Sequence, residues 1–430
     1  MIAMLLIGFV VLLGVGAPIV VAMGLPAAIY FIATGTTLST ITYSFYQSLF
    51  NFNMLAVPMF LLMGSLVTEF GETERAFRFA RAIAKGRKGY SSKIAIVLNL
   101  IFAGMSGASI SAVCGLGPMM VEEMDSEGYD RGYASAMTIA ASTVGPIFPP
   151  SIPLVLYATI ASVSSTKSLL AGMAPGVVLS ACLYIWVMFT HKRHFTHAAV
   201  PREEETEKTS KLFWNAFPIM LAPVLILITM LMGVFSPGET GAMAVVYMIV
   251  LGLLHRTFTL KGFWNSVWST IKSCSSILVL LVAGGTFTKA LMLERLPDRI
   301  MSLLGGAMNY PIVVLLIINF VLIIMGMFME SNSALILAAP IVLQITNSLG
   351  FDPLHIGVMM VLNLMIGLST PPFGLCIYAV ARVANVPSAS VIKNVVPLYI
   401  PLFVALALVT FVPELSTWIP NFVFENILGA

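Results

Sequence analysis

Long apolar runs broken by short polar or Gly/Pro-rich interruptions make up this chain, and the interruptions carry most of the information. Residues 1–35 hold no charged side chain and suffice for two spans, with Pro18 and Gly24-Leu25-Pro26 predicting the bend. Residues 47–68 predict the next span. The stretch 71–92 then changes character: Arg75, Arg78, Arg81, Lys85, Arg87 and Lys88 interleave with Phe77, Phe79, Ala80 and Ile83. Aromatics at helical spacing on a basic background predict an amphipathic helix lying in the membrane interface, with a solvated loop as the alternative. Its basic excess assigns it to the cytoplasm.

Residues 93–121 are apolar but interrupted by Gly104-Met105-Ser106-Gly107-Ala108-Ser109. A crossing helix needs ~20 apolar residues, so a polar break in the middle suits a re-entrant hairpin of two half-length helices. An acidic loop is expected at 122–130. The span 132–165 is broken at Gly145-Pro146-Ile147-Phe148-Pro149-Pro150, where the prolines remove backbone donors and clash with the preceding turn. Residues 169–190 predict a return span, and 191–211 are a polar linker. The remainder repeats the plan: spans at 212–235, 241–254 and 271–291, a short amphipathic helix at 294–304, and a hairpin at 311–346. A helix at 354–386 broken at Ser369-Thr370-Pro371-Pro372 and a closing span at 389–412 complete it.

This repetition is visible residue by residue. Shifting 104–150 by 222 positions onto 326–372, without a gap, makes 13 of 47 pairs identical. Gly104, Ser109, Pro118, Gly128, Asp130, Gly145, Pro149 and Pro150 fall on Gly326, Ser331, Pro340, Gly350, Asp352, Gly367, Pro371 and Pro372. Shared apolar composition would enrich matches of Leu, Ile and Val, not of backbone breakers. The pattern predicts an internal duplication: a first repeat over 1–190, the linker, and a second over 212–430. Five crossings per repeat force the second to lie inverted relative to the first, with both chain ends outside. That is the broken-helix plan of secondary transporters, whose site sits near the midplane.

Composition agrees. Of 430 residues, 59% are hydrophobic and 10% charged, against about 45–50% and about 25% in soluble domains. The chain reads as an all-α polytopic membrane protein. A net charge of +3 without basic runs of the nucleic-acid kind gives no reason to expect nucleic acid, and four scattered cysteines form no metal or disulfide pattern.

Non-helical backbone at membrane depth is tolerated only where it is buried in protein or lines a wet cavity. The two hairpin tips and two helix breaks are expected to free backbone carbonyls for a hard cation and to expose helix N-termini to an anion. Candidate cation ligands are Gly104, Ser106, Ser142, Gly145, Pro149, Gly326, Glu330, Asn332, Gly367 and Thr370; candidate solute contacts are Ser106, Ser109, Asn332 and Thr370. Neutral oxygens with at most one carboxylate favour a monovalent ion over Ca²⁺. Glu330 is the one acid inside a tip, read either as a cation ligand or as a solvated tip residue. A rival class is an intramembrane serine protease using Ser106 in Gly104-Met105-Ser106-Gly107. Such chemistry needs a base beside the serine, and the five histidines fall in loops or at span ends.

At these same tips and breaks, together with Ala140-Ala141-Ser142-Thr143-Val144 and Gly367-Leu368-Ser369-Thr370-Pro371-Pro372-Phe373-Gly374, the chain resembles the large membrane subunit of tripartite ATP-independent periplasmic (TRAP) transporters, the DctM type. The resemblance covers essentially the whole chain. It implies an ion-transporter-type elevator fold with scaffold and transport domains in the bacterial inner membrane. It also implies drive by Na⁺ in two or more copies per cycle, delivery of an organic acid by a periplasmic binding protein, and a small four-helix membrane subunit. The family's substrates are chiefly C4-dicarboxylates or sialic acids; the neutral, Ser/Asn-rich tips lean toward sialic acid. The family often has Asp where Glu330 stands, and an Ala-Asp pair at Ser111-Ala112, so the first tip here has no acid.

Overall fold

The structure, a computed structural model, describes residues 1–36, 42–43, 45–46, 49–50, 52–84, 89–103, 109–198, 207–233 and 235–426. These are helical without a strand beyond a single Tyr129–Phe195 bridge. Among them, seven helical stretches are long and apolar enough to cross a bilayer, from Phe52–Glu69 to Ser388–Phe411. The chain is therefore a polytopic membrane protein.

The helices pack as two groups. In the first, Leu260–Leu293 lies against Ile19–Ala33 and Ala56–Glu69, Pro237–Leu254 against Ala56–Glu69, and Thr209–Leu231 against Glu72–Ala84. The second contains both predicted hairpin regions and both broken helices. Its packing is crosswise. Ile152–Ala161, which follows the first break, lies on Ser331–Ser348, while Leu375–Val383, which follows the second, lies on Ser109–Glu127. The groups meet chiefly where Leu260–Leu293 touches Ser331–Ser348.

Several boundaries differ from expectation for physical reasons. The bend in the first 35 residues falls at Gly16 to Pro18, as Pro18 predicts, while Gly24-Leu25-Pro26 lies inside the helix Ile19–Ala33. The Pro26 ring packs close over Gly8 of the helix Ile2–Gly14, where an added Cβ would come within 3.2 Å of Pro26 Cγ. The basic stretch forms Glu72–Ala84, and a new helix begins at Tyr90; Lys85, Arg87 and Lys88 lie outside the described residues. The acidic stretch 122–130 is not a loop: Ser109–Glu127 runs through it and stops at Gly128, whose φ of +105° ends a helix readily. Its acids are engaged. Glu123 accepts from Arg81 at 2.6 Å and from the Tyr90 hydroxyl at 2.9 Å. Glu127 accepts the amides of Tyr90 and Ser91 at 3.2 and 3.0 Å, capping the first arm of the hairpin from its second.

The span read at 271–291 is a 34-residue helix, Leu260–Leu293, about 51 Å long; residues 260–270 are too polar to stand out as part of an apolar run. The span read at 169–190 divides at Gly172, and Ser165–Ala171 packs against a terminal helix, Glu414–Asn426, for which the sequence raised no expectation.

The stretch 191–211 begins as packed chain. The Asp130 amide donates to the His194 carbonyl at 3.0 Å and the Thr196 amide to the Gly128 carbonyl at 2.9 Å. The His194 ring stacks on Tyr133, centroids 3.8 Å apart. Burial, the largest influence, holds the His194 pKa below its ordinary 6.5, with Asp130 opposing and Arg193 assisting. A depressed folded pKa means the docking is favoured above the unfolded value and weakens as pH falls through the folded one. Protection of the Asp130 and Thr196 amides against exchange, relative to their intrinsic rates, should therefore be lower at pH 5 than at pH 7.5. His194→Phe should flatten that dependence.

Candidate functional site

The second hairpin turns within two residues. Pro311–Phe328 is uniformly apolar and ends where Met329 becomes extended (φ −139°, ψ 157°) and Glu330 takes the N-cap position of Ser331–Ser348. Both carboxylate oxygens of Glu330 are engaged. One accepts from the Asn332 and Ser333 amides at 2.9 and 3.2 Å, satisfying donors that a helix start leaves unpaired. The other accepts from the Ser331 hydroxyl and the Asn332 side-chain amide, each at 3.0 Å. The acid thus caps the helix and shapes the tip. Asn332 Oδ1, by contrast, is buried without a hydrogen-bond partner.

The second break follows Pro353–Leu368 and extends to Gly374, with a cis Pro371-Pro372 peptide. Tip and break are held together by a backbone contact between Gly326 and Gly367. A Cβ on Gly367 would lie 2.8 Å from both Gly326 Cα and the Ile323 carbonyl oxygen; one on Gly326 would lie 2.9 Å from the Leu364 carbonyl oxygen. Both glycines, expected as cation ligands, let the two backbones approach closely. The freed carbonyls are also less available than expected. Gly367 O accepts from the Thr370 amide at 2.8 Å. Ser369 O accepts from the Tyr399 hydroxyl, and Pro372 O from that of Tyr378, each at 2.6 Å. Ser369 and Thr370 both donate back to Ile366 O at 2.7 Å, which leaves their oxygen lone pairs as acceptors.

The first break is built alike but sits deeper. Ser142 donates to Ile139 O at 2.8 Å and Thr143 to Ala140 O at 2.7 Å. Gly145 and Pro149 lie in a turn that is buried almost throughout, whereas Pro372 and Phe373 of the second break are exposed. Ser151 closes the turn: its hydroxyl donates to Pro146 O and accepts the Leu154 amide at 3.2 Å, capping Ile152–Ala161. Of the first tip, Gly104 and Ser106 lie outside the described residues; Ser109 opens the second arm, and its side chain lies outside them too.

A cavity of about 400 Å³ lies where the two groups of helices meet. Glu330, Asn332 and Ser333 of the second tip line it, with Ile110 of the first hairpin and Ile152 beyond the first break. Its opposite wall is the first group, through Ser273, Ser276 and Leu280 of the long helix and through Ile19, Val20 and Leu61. Asn332, expected as a solute contact, lines this cavity. Thr370 lies off the described wall, because its side chain is turned back to Ile366. Ser273 and Ser276 were missed, since nothing in a linear reading distinguishes them from other small polar residues on a half-apolar helix. Among the described residues no three His, Cys, Asp or Glu gather as a metal cluster. The wall offers hydroxyls, an amide oxygen and one carboxylate, a chemistry suited to holding a polar solute and a hard monovalent ion rather than to cutting a bond.

Comparison with known proteins agrees over nearly the whole length. The family described as "Tripartite ATP-independent periplasmic transporter, DctM component" matches residues 6–415. The sialic acid TRAP transporter large permease SiaM of Vibrio cholerae is 32% identical over 416 residues, covering 96% of this chain and 97% of that protein. The sialic acid TRAP permease SiaT of Haemophilus influenzae is 31% identical, covering 97% of this chain and 68% of its own length. The C4-dicarboxylate large permease DctM of Vibrio cholerae is 29% identical, covering 98% and 97%. Among solved structures, the YdaH transporter of Alcanivorax borkumensis superposes with a TM-score of 0.60 at 13% identity, covering 91% of this chain and 90% of that one. At that identity the likeness concerns the fold alone.

Proposed function

The chain belongs to the family of DctM components of tripartite ATP-independent periplasmic transporters, and from that premise we propose that it carries an organic acid inward, driven by Na⁺. It is a transport protein and not an enzyme, and its relatives lend the serine-protease reading no support. The observation that carries the proposal is the cavity between the two helix groups, walled on one side by a hairpin tip and on the other by a long helix. The group with the hairpins and breaks is the moving transport domain of an elevator; the group built on Leu260–Leu293 is the scaffold. Both groups draw on both halves of the chain, 1–190 and 212–430, which lie as inverted repeats; that accounts for equivalent breaks 222 residues apart and for the crosswise packing.

Na⁺ binds at the second tip, where Asn332 Oδ1 is an acceptor in want of a partner and Glu330 supplies the negative charge. The solute is sialic acid rather than a C4-dicarboxylate. No lysine or arginine stands on the described cavity wall to balance a second carboxylate, while the hydroxyls and amide suit a polyol. A periplasmic binding protein delivers the acid, a small four-helix membrane subunit braces the scaffold, and both chain ends face the periplasm of the inner membrane. The test is reconstitution in liposomes with a sialic-acid-binding protein. Labelled sialic acid should enter saturably under an inward Na⁺ gradient, and succinate should compete poorly. Uptake indifferent to Na⁺ defeats the coupling, and single-channel currents defeat the carrier.

A further inference from the structure

A second cavity, of about 320 Å³, lies away from the transport site, between the amphipathic helix Glu72–Ala84 and the first hairpin arm. Phe79, Ala80 and Ile83 form one wall, Ile94, Val97 and Ile101 the other, and Tyr184 and Met220 lie alongside. Ile83 and Val97 are 56% and 46% exposed, so the groove opens outward. Tyr90 and Lys93 lie at one end of it. The described arginines of the neighbouring helix are already neutralised: Arg75 by Glu72, Arg78 by Glu207 and Arg81 by Glu123. Glu127 is held by the amides that start the first arm. Among the described residues Lys93 takes part in no ion pair or hydrogen bond, so its charge is available to a partner.

We propose that this groove binds one anionic phospholipid of the bilayer, with the headgroup at Lys93 and an acyl chain along the apolar wall. The dimensions agree. From Tyr90 to Ile101 is about 16 Å along a helix, and one leaflet of a ~30 Å hydrocarbon core is about 15 Å deep. A cation at one end of an apolar trough is the complement of a lipid with a negative head and a long tail, and an amphipathic helix with a basic face commonly lies at that depth. Since the trough is walled by both helix groups, the lipid bridges them.

Native mass spectrometry of the full chain in detergent tests this with phosphatidylglycerol, phosphatidylethanolamine and glycerol phosphate as probes. The wild type should retain one phosphatidylglycerol at least tenfold more tightly than phosphatidylethanolamine and should not retain glycerol phosphate. Lys93→Gln should abolish the preference, and Ala80→Phe, which fills the trough, should abolish retention. The unfolding midpoint of each variant without lipid shows that it is folded. Equal retention by wild type and both variants overturns the proposal. So does displacement of the lipid when a small membrane subunit is bound, which would make the groove a protein interface, and so does retention of glycerol phosphate alone, which would make it a plain anion site.

Discussion

Replacing Gly367 with alanine is expected to cut Na⁺-driven uptake at least tenfold and to lower the unfolding midpoint. The new methyl would stand 2.8 Å from Gly326 Cα and from the Ile323 carbonyl oxygen. Both are backbone atoms, so no flexible side chain can swing aside, and the helices Pro311–Phe328 and Pro353–Leu368 must separate. Overpacking of this kind costs about 1–3 kcal/mol. It also shifts the second tip, whose Glu330, Asn332 and Ser333 line the cavity, so the site loses geometry as well as stability. Gly115→Ala is the matched control. Nothing lies within 4 Å of the Cβ it would add, and a helix interior gains roughly 0.5–1 kcal/mol from the change. Initial uptake rates per reconstituted transporter, read beside thermal unfolding, separate the two. Equal activity in Gly367→Ala and wild type would show that the approach of Gly326 and Gly367 does not position the site.

Glu330→Gln should raise the Na⁺ concentration for half-maximal uptake more than tenfold while changing stability by less than about 1 kcal/mol, the usual worth of a helix cap. The reasoning rests on the four hydrogen bonds of Glu330. In the variant the remaining carbonyl oxygen can keep the Asn332 and Ser333 amides. The new NH₂ group would face the Asn332 side-chain amide donor to donor, but Asn332 can flip and offer Oδ1, which has no partner now. The cap survives and only the charge is lost. Sodium titration of uptake together with the unfolding midpoint reads both quantities. An unchanged Na⁺ dependence would leave Glu330 a cap alone and move the cation elsewhere. A large loss of stability with a normal Na⁺ dependence would point the same way.

Much of the architecture was legible because membrane folds are written in backbone breakers as well as apolar runs. A Pro-Pro pair cannot sit in unbroken helix, so the breaks near Pro149 and Pro371 were found to within a few residues. The second hairpin was found because its Gly, Ser and Pro positions repeat those of the first, 222 residues earlier. Helix ends were less legible. Glu122–Glu127 looked like a loop by composition, yet those acids extend a helix because Arg81, Tyr90 and the amides at Tyr90 and Ser91 receive them. Proline misled at Pro26, where a neighbouring glycine gives the ring room inside a helix.

By itself the sequence determined the class, the helical order, the positions of the breaks and the likeness between the halves, since each depends on composition or on residues adjacent in the chain. Only the tertiary structure decided what those residues do. It set Gly326 against Gly367, turned Glu330 into a cap, gave Ser369 O to Tyr399, and placed Ser273 and Ser276 across a cavity from Asn332. These partners lie from two to about sixty positions apart in sequence, and whether a carbonyl or carboxylate stays free depends on which side chain reaches it first in space.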